Sequence, residues 1–286
     1  MNIQKYLAFI MTVEYGSFTK AAEALSYTQS GVSRMISDLE KEWKLSLLER
    51  DRAGVRLTSD GLKLLPLAKE VCAGYRKLQM QVDELNGLQS GLIRIGTFSS
   101  VAIHWLPKII QKFQQDYPGI DYDLQLGYYP DIEQWIAEGS VDCGFVRLPT
   151  NPEFETIELQ KDELLVVLPD SHPLAGREKI PIRELCGYPF MLMEKGVHAE
   201  ITELFESSGV KPNVHFSSLD DQVVLSMVER GLCISIMHSL MLQRIPYRVV
   251  TRPLETPAYR TIALALKSSR SASVAVKKFL DYLQYR

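Results

Sequence analysis

A chain of 286 residues exceeds one small domain and predicts two or three folding units. With 46% hydrophobic and 23% charged residues it is globular in type, and no apolar run approaches the roughly 20 residues of a membrane helix. The formal net charge of −3 excludes a chain-wide attraction to nucleic acid, so any such signal must be local. Cys72, Cys143, Cys186 and Cys233 lie far apart without a CxxC pair. That spacing, and an opening MNIQKYLAFIMTVEYG without a small-residue cleavage site, predict a cytoplasmic protein.

Tyr6, Leu7, Phe9, Ile10 and Val13 recur at helical steps, which predicts a helix over 3–14 ending at Gly16. A second, short helix opens at Ser17 or Phe18 and turns Ala21, Ala22 and Leu25 inward. Thr28 is a good N-cap for a third, with Val32, Ile36, Leu39 and Trp43 on one face. The opposite face carries Ser30, Ser33, Arg34, Ser37 and Lys41, and no acidic residue occurs from Leu25 to Ser37. Two helices joined by a short turn, the second presenting Gln29, serines and Arg34, follow the helix-turn-helix plan. LLERDRAGVRLT then reads as a β-hairpin wing turning at Ala53-Gly54 and bearing Arg50, Arg52 and Arg56. A polar helix face alone is explained equally well by solvation. An arginine-bearing hairpin directly after it favours DNA. Gln29, Ser30, Ser33 and Arg34 are then the base-reading candidates, while Thr28, Arg50, Arg52 and Arg56 hold backbone or minor groove. Residues 1–60 balance eight Lys/Arg against eight Asp/Glu, so binding must rest on placement and be salt-sensitive.

The stretch FTKAAEALSYTQSGVSRMISDLEKEWKLSLLERDRAGVRLTSDG resembles the winged helix-turn-helix of the LysR-type transcriptional regulators. The matching features are Gly16-Ser17-Phe18-Thr19 with Ala21-Ala22, then Gln29, Val32-Ser33-Arg34 and Leu39-Glu40. The wing from Glu49-Arg50 to Arg56-Leu57-Thr58 completes the match. Ser30 replaces a proline common in the family, Gly31 an alanine and Leu48 a phenylalanine; these departures bear on base preference. The resemblance continues over the whole chain.

From Ser59 to Leu88 a long helix is predicted, with Leu65, Ala68, Val71/Cys72, Tyr75, Leu78, Val82 and Leu85 on one stripe and Pro66 in its first turns. No neighbouring segment is evident to cover that stripe, which favours a partner chain, with Cys72 buried in the seam. The resemblance implies dimerisation through this helix, and a homodimer or homotetramer overall. Gln89-Ser90-Gly91 marks a hinge.

The remainder alternates strand and helix: LIRIGTFSS, VAIHWLPKIIQKFQQDYP, DYDLQLG, PDIEQWIAEG and VDCGFVR, then ELLVVLP, YPFMLME, HAEITELFESSG, VHFSS, LDDQVVLSMVERG, LCISIM and RTIALALK. This predicts α/β architecture with a mainly parallel sheet. The resemblance implies a two-lobe effector domain like periplasmic binding proteins. The whole is then a winged helix-turn-helix (1–58), a linker helix (59–90) and an effector domain (91–286). Its lobe I is 91–161 with 267–286, and its lobe II is 162–266. Ligands in open α/β sheets lie beyond the carboxyl ends of strands, which nominates Thr97, Ser99, Ser100, Tyr128 and Arg147 in one lobe. Glu194, His198 and Met237 (followed by His238) are nominated in the other. Capping the helix is an equal role for Ser99 or Ser100, and pairing with each other is an equal one for Glu194 and His198. Arg147 at a strand end would face the hydroxyls, where a carboxylate docks.

Other classes fit less well. One branch of the family senses peroxide through cysteine, but His198 stands where that cysteine is expected. Cys186 precedes a buried-looking strand, where thiols are inert. His198-Ala199-Glu200 matches an HxE metal signature, yet no PCxxC follows, and GxSxG, Walker and GxGxxG motifs are absent. A transport-associated solute-binding protein would carry a signal peptide and no DNA module. The expectation is a DNA-binding regulator, not an enzyme, without cofactor, metal or membrane. Its partners are double-stranded promoter DNA and a small effector, a carboxylate or other small polar metabolite, held between the lobes.

Overall fold

The computed structural model describes residues 2–51, 54–85, 91–193 and 200–286. They form two compact units, Met1–Gly91 with Ser273–Ala275, and Leu92–Ala272 with Val276–Arg286. No described helix is long and apolar enough to cross a membrane.

In the first unit, α1 (Ile3–Tyr15) starts under an Asn2 cap and stops at Gly16, whose φ of 60° is open to glycine at little cost. Helix α2 (Phe18–Ala24) is capped by Ser17 and buries Phe18, Ala21 and Ala22. Helix α3 (Gln29–Trp43) begins under Thr28, whose Oγ1 accepts from the Gly31 amide at 3.1 Å. Its apolar face, Val32, Ile36 and Leu39, is 0–1% exposed and packs with Phe9, Ala21 and Leu47 into one core. Strands β1 (Leu48–Asp51) and β2 (Gly54–Leu57) pair antiparallel as the wing. Glu40 ties the wing to α3, its Oε1 accepting from the Leu47 and Leu48 amides at 2.8 and 3.2 Å.

Helix α4 (Ser59–Leu85) runs through Pro66. Its stripe is divided, which corrects the expectation that nothing within the chain covers it. Ala68 and Cys72 are buried in the helix-turn-helix core, with Leu64 and Leu65 packed beside them. Cys72 is therefore a core residue of its own domain, and burial pushes its thiol pKa up. Leu62, Leu67, Val71, Tyr75, Leu78 and Val82 remain exposed.

The second unit opens with β3 (Gly91–Thr97), α5 (Ser99–His104), α6 (Leu106–Asp116), β4 (Ile120–Leu126), α7 (Tyr129–Glu138) and β5 (Cys143–Leu148). The single helix expected after β3 is broken at Trp105. Next comes β6 (Glu155–Pro169), a 15-residue strand whose first half is mostly exposed and second half mostly buried. Then follow α8 (Ile182–Leu185), β7 (Phe190–Leu192), α9 (Glu200–Ser207), β8 (Val214–Ser217), α10 (Asp221–Glu229) and β9 (Ser235–His238). The chain ends with β10 (Val249–Pro253), β11 (Tyr259–Leu266) and α11 (Val274–Leu280).

Strand order is β10-β6-β11-β5-β3-β4, with β9 also on β6, and β7 pairs β8 separately. Parallel pairing joins β3 to β5 and β7 to β8, but β6 meets β9, β10 and β11 antiparallel, as β11 meets β5. The mainly parallel sheet expected from the alternation is thus corrected to a mixed one. The long strand β6 carries the chain into the second lobe, with β11 antiparallel beside its first half, and alternation alone does not reveal strand direction. The first crossing lies on β6, where pairing with β11 ends at Glu163 and pairing with β9 begins at Leu164. The return lies before Tyr259, because all of β11 sits between β5 and β6. That is earlier than the boundary after residue 266.

Candidate functional site

In the helix-turn-helix, Thr28, Gln29, Ser30 and Arg34 are exposed and Ser33 and Ser37 partly so; Ser30, Ser33, Arg34 and Ser37 lie on the face of α3 turned away from its core residues, and Gln29 opens its first turn. Thr28 Oγ1 is occupied as a cap and also lies 3.2 Å from Ser30 Oγ. Arg56 is exposed on β2. Arg50 is placed by its backbone alone, paired with Val55, and Arg52 lies outside the described residues. Through Glu40, the wing is indexed to the helix that carries Arg34.

Where β6 crosses between lobes beside β11, a buried polar network forms. Arg260, 3% exposed, donates to Asp162 Oδ2 from Nη2 at 2.6 Å and from Nε at 2.9 Å. Its Nη1 reaches Tyr129 Oη and its Nη2 reaches Ser100 Oγ, both at 2.8 Å. The other oxygen of Asp162 accepts from Ser239 Oγ at 2.8 Å and the Leu240 amide at 2.9 Å. Phe98 lies under the guanidinium, 4.7 Å from ring centre to Cζ, and meets Tyr129 edge-on. Burial pushes the Tyr129 hydroxyl pKa up despite Arg260 beside it.

Beside this core sits a second, less enclosed cluster. Arg147 Nη1 lies 3.0 Å from Glu200 Oε1, and His238 Nε2 lies 2.9 Å from Glu200 Oε2. Their side chains keep 12–18% exposure. Burial alone would raise the Glu200 pKa, but the hydrogen bond and charge of His238, with Arg147 and Arg260, outweigh it and hold the carboxyl down to about 2. Burial, and then Arg260, lower the His238 pKa against the pull of Glu200. The imidazole is thus neutral near pH 7 and donates through Nε2.

The expected residues fare differently. Ser100 joins the network, so its hydroxyl serves Arg260; α5 is capped at Phe98 with no side-chain bond, so neither Ser99 nor Ser100 caps it. Ser99 is partly exposed in the first turn. Thr97 is fully buried, its hydroxyl directed to the Phe98 carbonyl at 3.3 Å. Tyr128 is 50% exposed, and its hydroxyl reaches the Leu219 carbonyl across to the second lobe at 3.4 Å. Arg147 meets the chain's own carboxylate. Met237 is corrected: it is 1% exposed in an apolar cluster with Val167, Met191 and Leu225, and its neighbour His238 does the polar work. Glu194 and His198 lie outside the described residues. Arg260 and Asp162 escaped the sequence reading and Glu200 entered it only in the HxE match, although Asp162 and Arg260 each stand within two residues of the apolar run of a strand.

Comparison with known proteins agrees with this layout. The family described as "Bacterial regulatory helix-turn-helix protein, lysR family" matches residues 3–62, and "LysR substrate binding domain" matches residues 86–286. An uncharacterized HTH-type transcriptional regulator of Bacillus subtilis, YvbU, is 34% identical over 98% of this chain and 97% of its own. The HTH-type transcriptional activator CmpR of Synechocystis is 29% identical over 99% of this chain and 94% of its own. Among solved structures, the LysR-family regulator CbnR superposes with a TM-score of 0.71 at 18% identity, covering 99% of this chain and 98% of that one. HinK of Pseudomonas aeruginosa gives 0.62 at 26%, covering 100% and 98%. A winged helix-turn-helix, a two-lobe domain with a charged network at its crossover and full-length matches to named regulators lead to one conclusion. The chain belongs to the LysR-type transcriptional regulators: it is a DNA-binding regulator of transcription with a substrate-binding domain, and not an enzyme.

Proposed function

We propose that the protein regulates its target promoter in the cytoplasm as a homodimer or homotetramer, switched by a small polar effector, a carboxylate or similar metabolite, bound between the lobes. The observation that carries the effector site is the cluster of Arg147, Glu200 and His238. It draws one residue from the first lobe and two from the second, and it is the partly accessible edge of an otherwise closed network. A ligand there prefers one spacing of the lobes, and that preference is what shifts a population. Gln29, Ser30, Ser33 and Arg34 read base edges; Thr28, Arg50, Arg52 and Arg56 hold the backbone or minor groove. The exposed apolar residues on one side of α4, Leu67, Val71, Tyr75, Leu78 and Val82, are the side offered to a second copy. CbnR has been solved in complex with its target DNA, and a symmetric dimer on paired half-sites is the arrangement expected here.

The test is selection from a random duplex pool by the full chain. Enrichment of one inverted repeat is expected, lost in Arg34→Ala and altered in footprint by small organic acids. A pool that stays random, or enrichment indifferent to Arg34→Ala, sinks the assignment of α3 as the reading element.

A further inference from the structure

Among the described residues, the charges at the crossover balance. Arg147 and Arg260 are matched by Asp162 and Glu200, with His238 neutral between them. Asp162 and Arg260 are almost fully buried and bonded to each other, so they offer nothing to an incoming molecule. Among the described residues, the ion pair a ligand can reach is Arg147–Glu200. Parting it where both side chains are largely buried leaves one cation and one anion, and each unpaired buried charge is strongly unfavourable.

A simple carboxylate satisfies Arg147 but leaves Glu200 with a neutral imidazole. Its binding therefore needs a proton on His238, which faces Glu200 from α9, Arg260 from β11 and Asp162 from β6. A neutral sugar matches neither charge. A molecule with a carboxylate and an ammonium on one carbon replaces the internal pair charge for charge and needs no proton. Its carboxylate takes the Arg147 guanidinium, which is built to grip such a group. Its ammonium takes Glu200 Oε1, while Oε2 stays on His238 Nε2 and keeps the carboxylate aimed.

Resting on the reading that the effector binds between the lobes, we infer that this effector is an α-amino acid, and that Glu200 both closes the empty site and selects for the amino group. Glu200 is then a specificity residue, and Arg147 the anchor.

Calorimetric titration of the full chain tests this. The probes are the proteinogenic amino acids, the amines left when each loses its carboxylate, and the 2-hydroxy acids that replace each amine by hydroxyl. At least one amino acid should bind with the same heat in buffers of different protonation enthalpy, and its amine and hydroxy-acid analogues should bind at least about 10-fold more weakly. Glu200→Gln, which keeps the hydrogen-bonding shape, should weaken the amino acid by a similar factor and bring the hydroxy acid to parity or better. Melting of that variant shows whether it is folded. A hydroxy acid that binds the native chain as tightly as the amino acid, or an amino acid that binds with proton uptake, overturns the inference while leaving the cleft reading intact. So does an affinity indifferent to Glu200→Gln. A ligand whose binding survives both Arg147→Met and Glu200→Gln overturns the cleft reading itself. Absence of binding by any probe at millimolar concentration overturns the amino-acid assignment.

Discussion

Replacing Arg260 by methionine removes the cation at the centre of the crossover and keeps most of its volume. Asp162, with 0% exposure, loses both bonds from Arg260 and retains only Ser239 Oγ and the Leu240 amide. Tyr129 Oη and Ser100 Oγ lose a donor as well. Stranding one member of a buried ion pair costs about 3–5 kcal/mol. For a unit of this size each kcal/mol is about 2–4 °C, so the second unit should melt roughly 6–20 °C lower. Trp43→Phe leaves Trp105 and Trp135 as reporters confined to that unit, and their fluorescence during urea unfolding gives the free energy. The double variant Arg260→Met with Asp162→Leu, which removes both charges, should recover most of the loss. A single-variant cost under about 1 kcal/mol, or a double variant no better than the single, refutes the view that this pair is balanced only by itself.

Arg34→Ala should weaken operator binding by about 1–3 kcal/mol, measured by fluorescence anisotropy, and relax preference at the bases it faces. Because the Glu200 carboxyl is held at about 2, below its unfolded value, its contribution is present above about pH 4.5 and lost as pH falls towards 2. The wild type minus Glu200→Gln difference in unfolding free energy should therefore decline by about 3 kcal/mol across that window; a flat difference contradicts the charge state assigned here. Gly61→Ala drives a methyl into the Leu47 carbonyl oxygen, a backbone atom that cannot swing aside. It should destabilise the first unit by about 1–3 kcal/mol or more, seen as a lowered first melting transition. Tyr75→Asp with Leu78→Asp should shift sedimentation towards the monomer at a given concentration, and unchanged sedimentation removes α4 from the interface.

Much of the first unit was legible because its signals are local. The N-cap at Thr28, the stop at Gly16 and the apolar spacing of Val32, Ile36 and Leu39 each act within one or two turns, and the structure realises them. The burial of Cys72 was legible but its neighbour was not, since a heptad stripe looks alike whether a partner chain or α1 covers it. At the crossover, Ser100 and Arg147 were nominated by standing at carboxyl ends of strands. Arg260 and Asp162 are 98 positions apart, and periodicity registers each only as a polar residue beside an apolar run. Their pairing depends on the antiparallel register of β6 and β11, which strand–helix alternation leaves open. Glu200 was read only within a metal signature, because its partners come from β5 and β9.

The pairing of β6 with β11 has a topological consequence. Glu163 and Tyr259 are register partners on adjacent antiparallel strands, so the second lobe leaves and rejoins the first through neighbouring residues. In connectivity, that lobe is one long insertion in the tip of a β-hairpin whose two arms belong to the first lobe. Length and sequence can therefore drift inside the insertion without rethreading the host. With them can drift Glu200 and His238, the half of the cleft that chooses the ligand, while Arg147, Arg260 and the sheet that carries them keep their places.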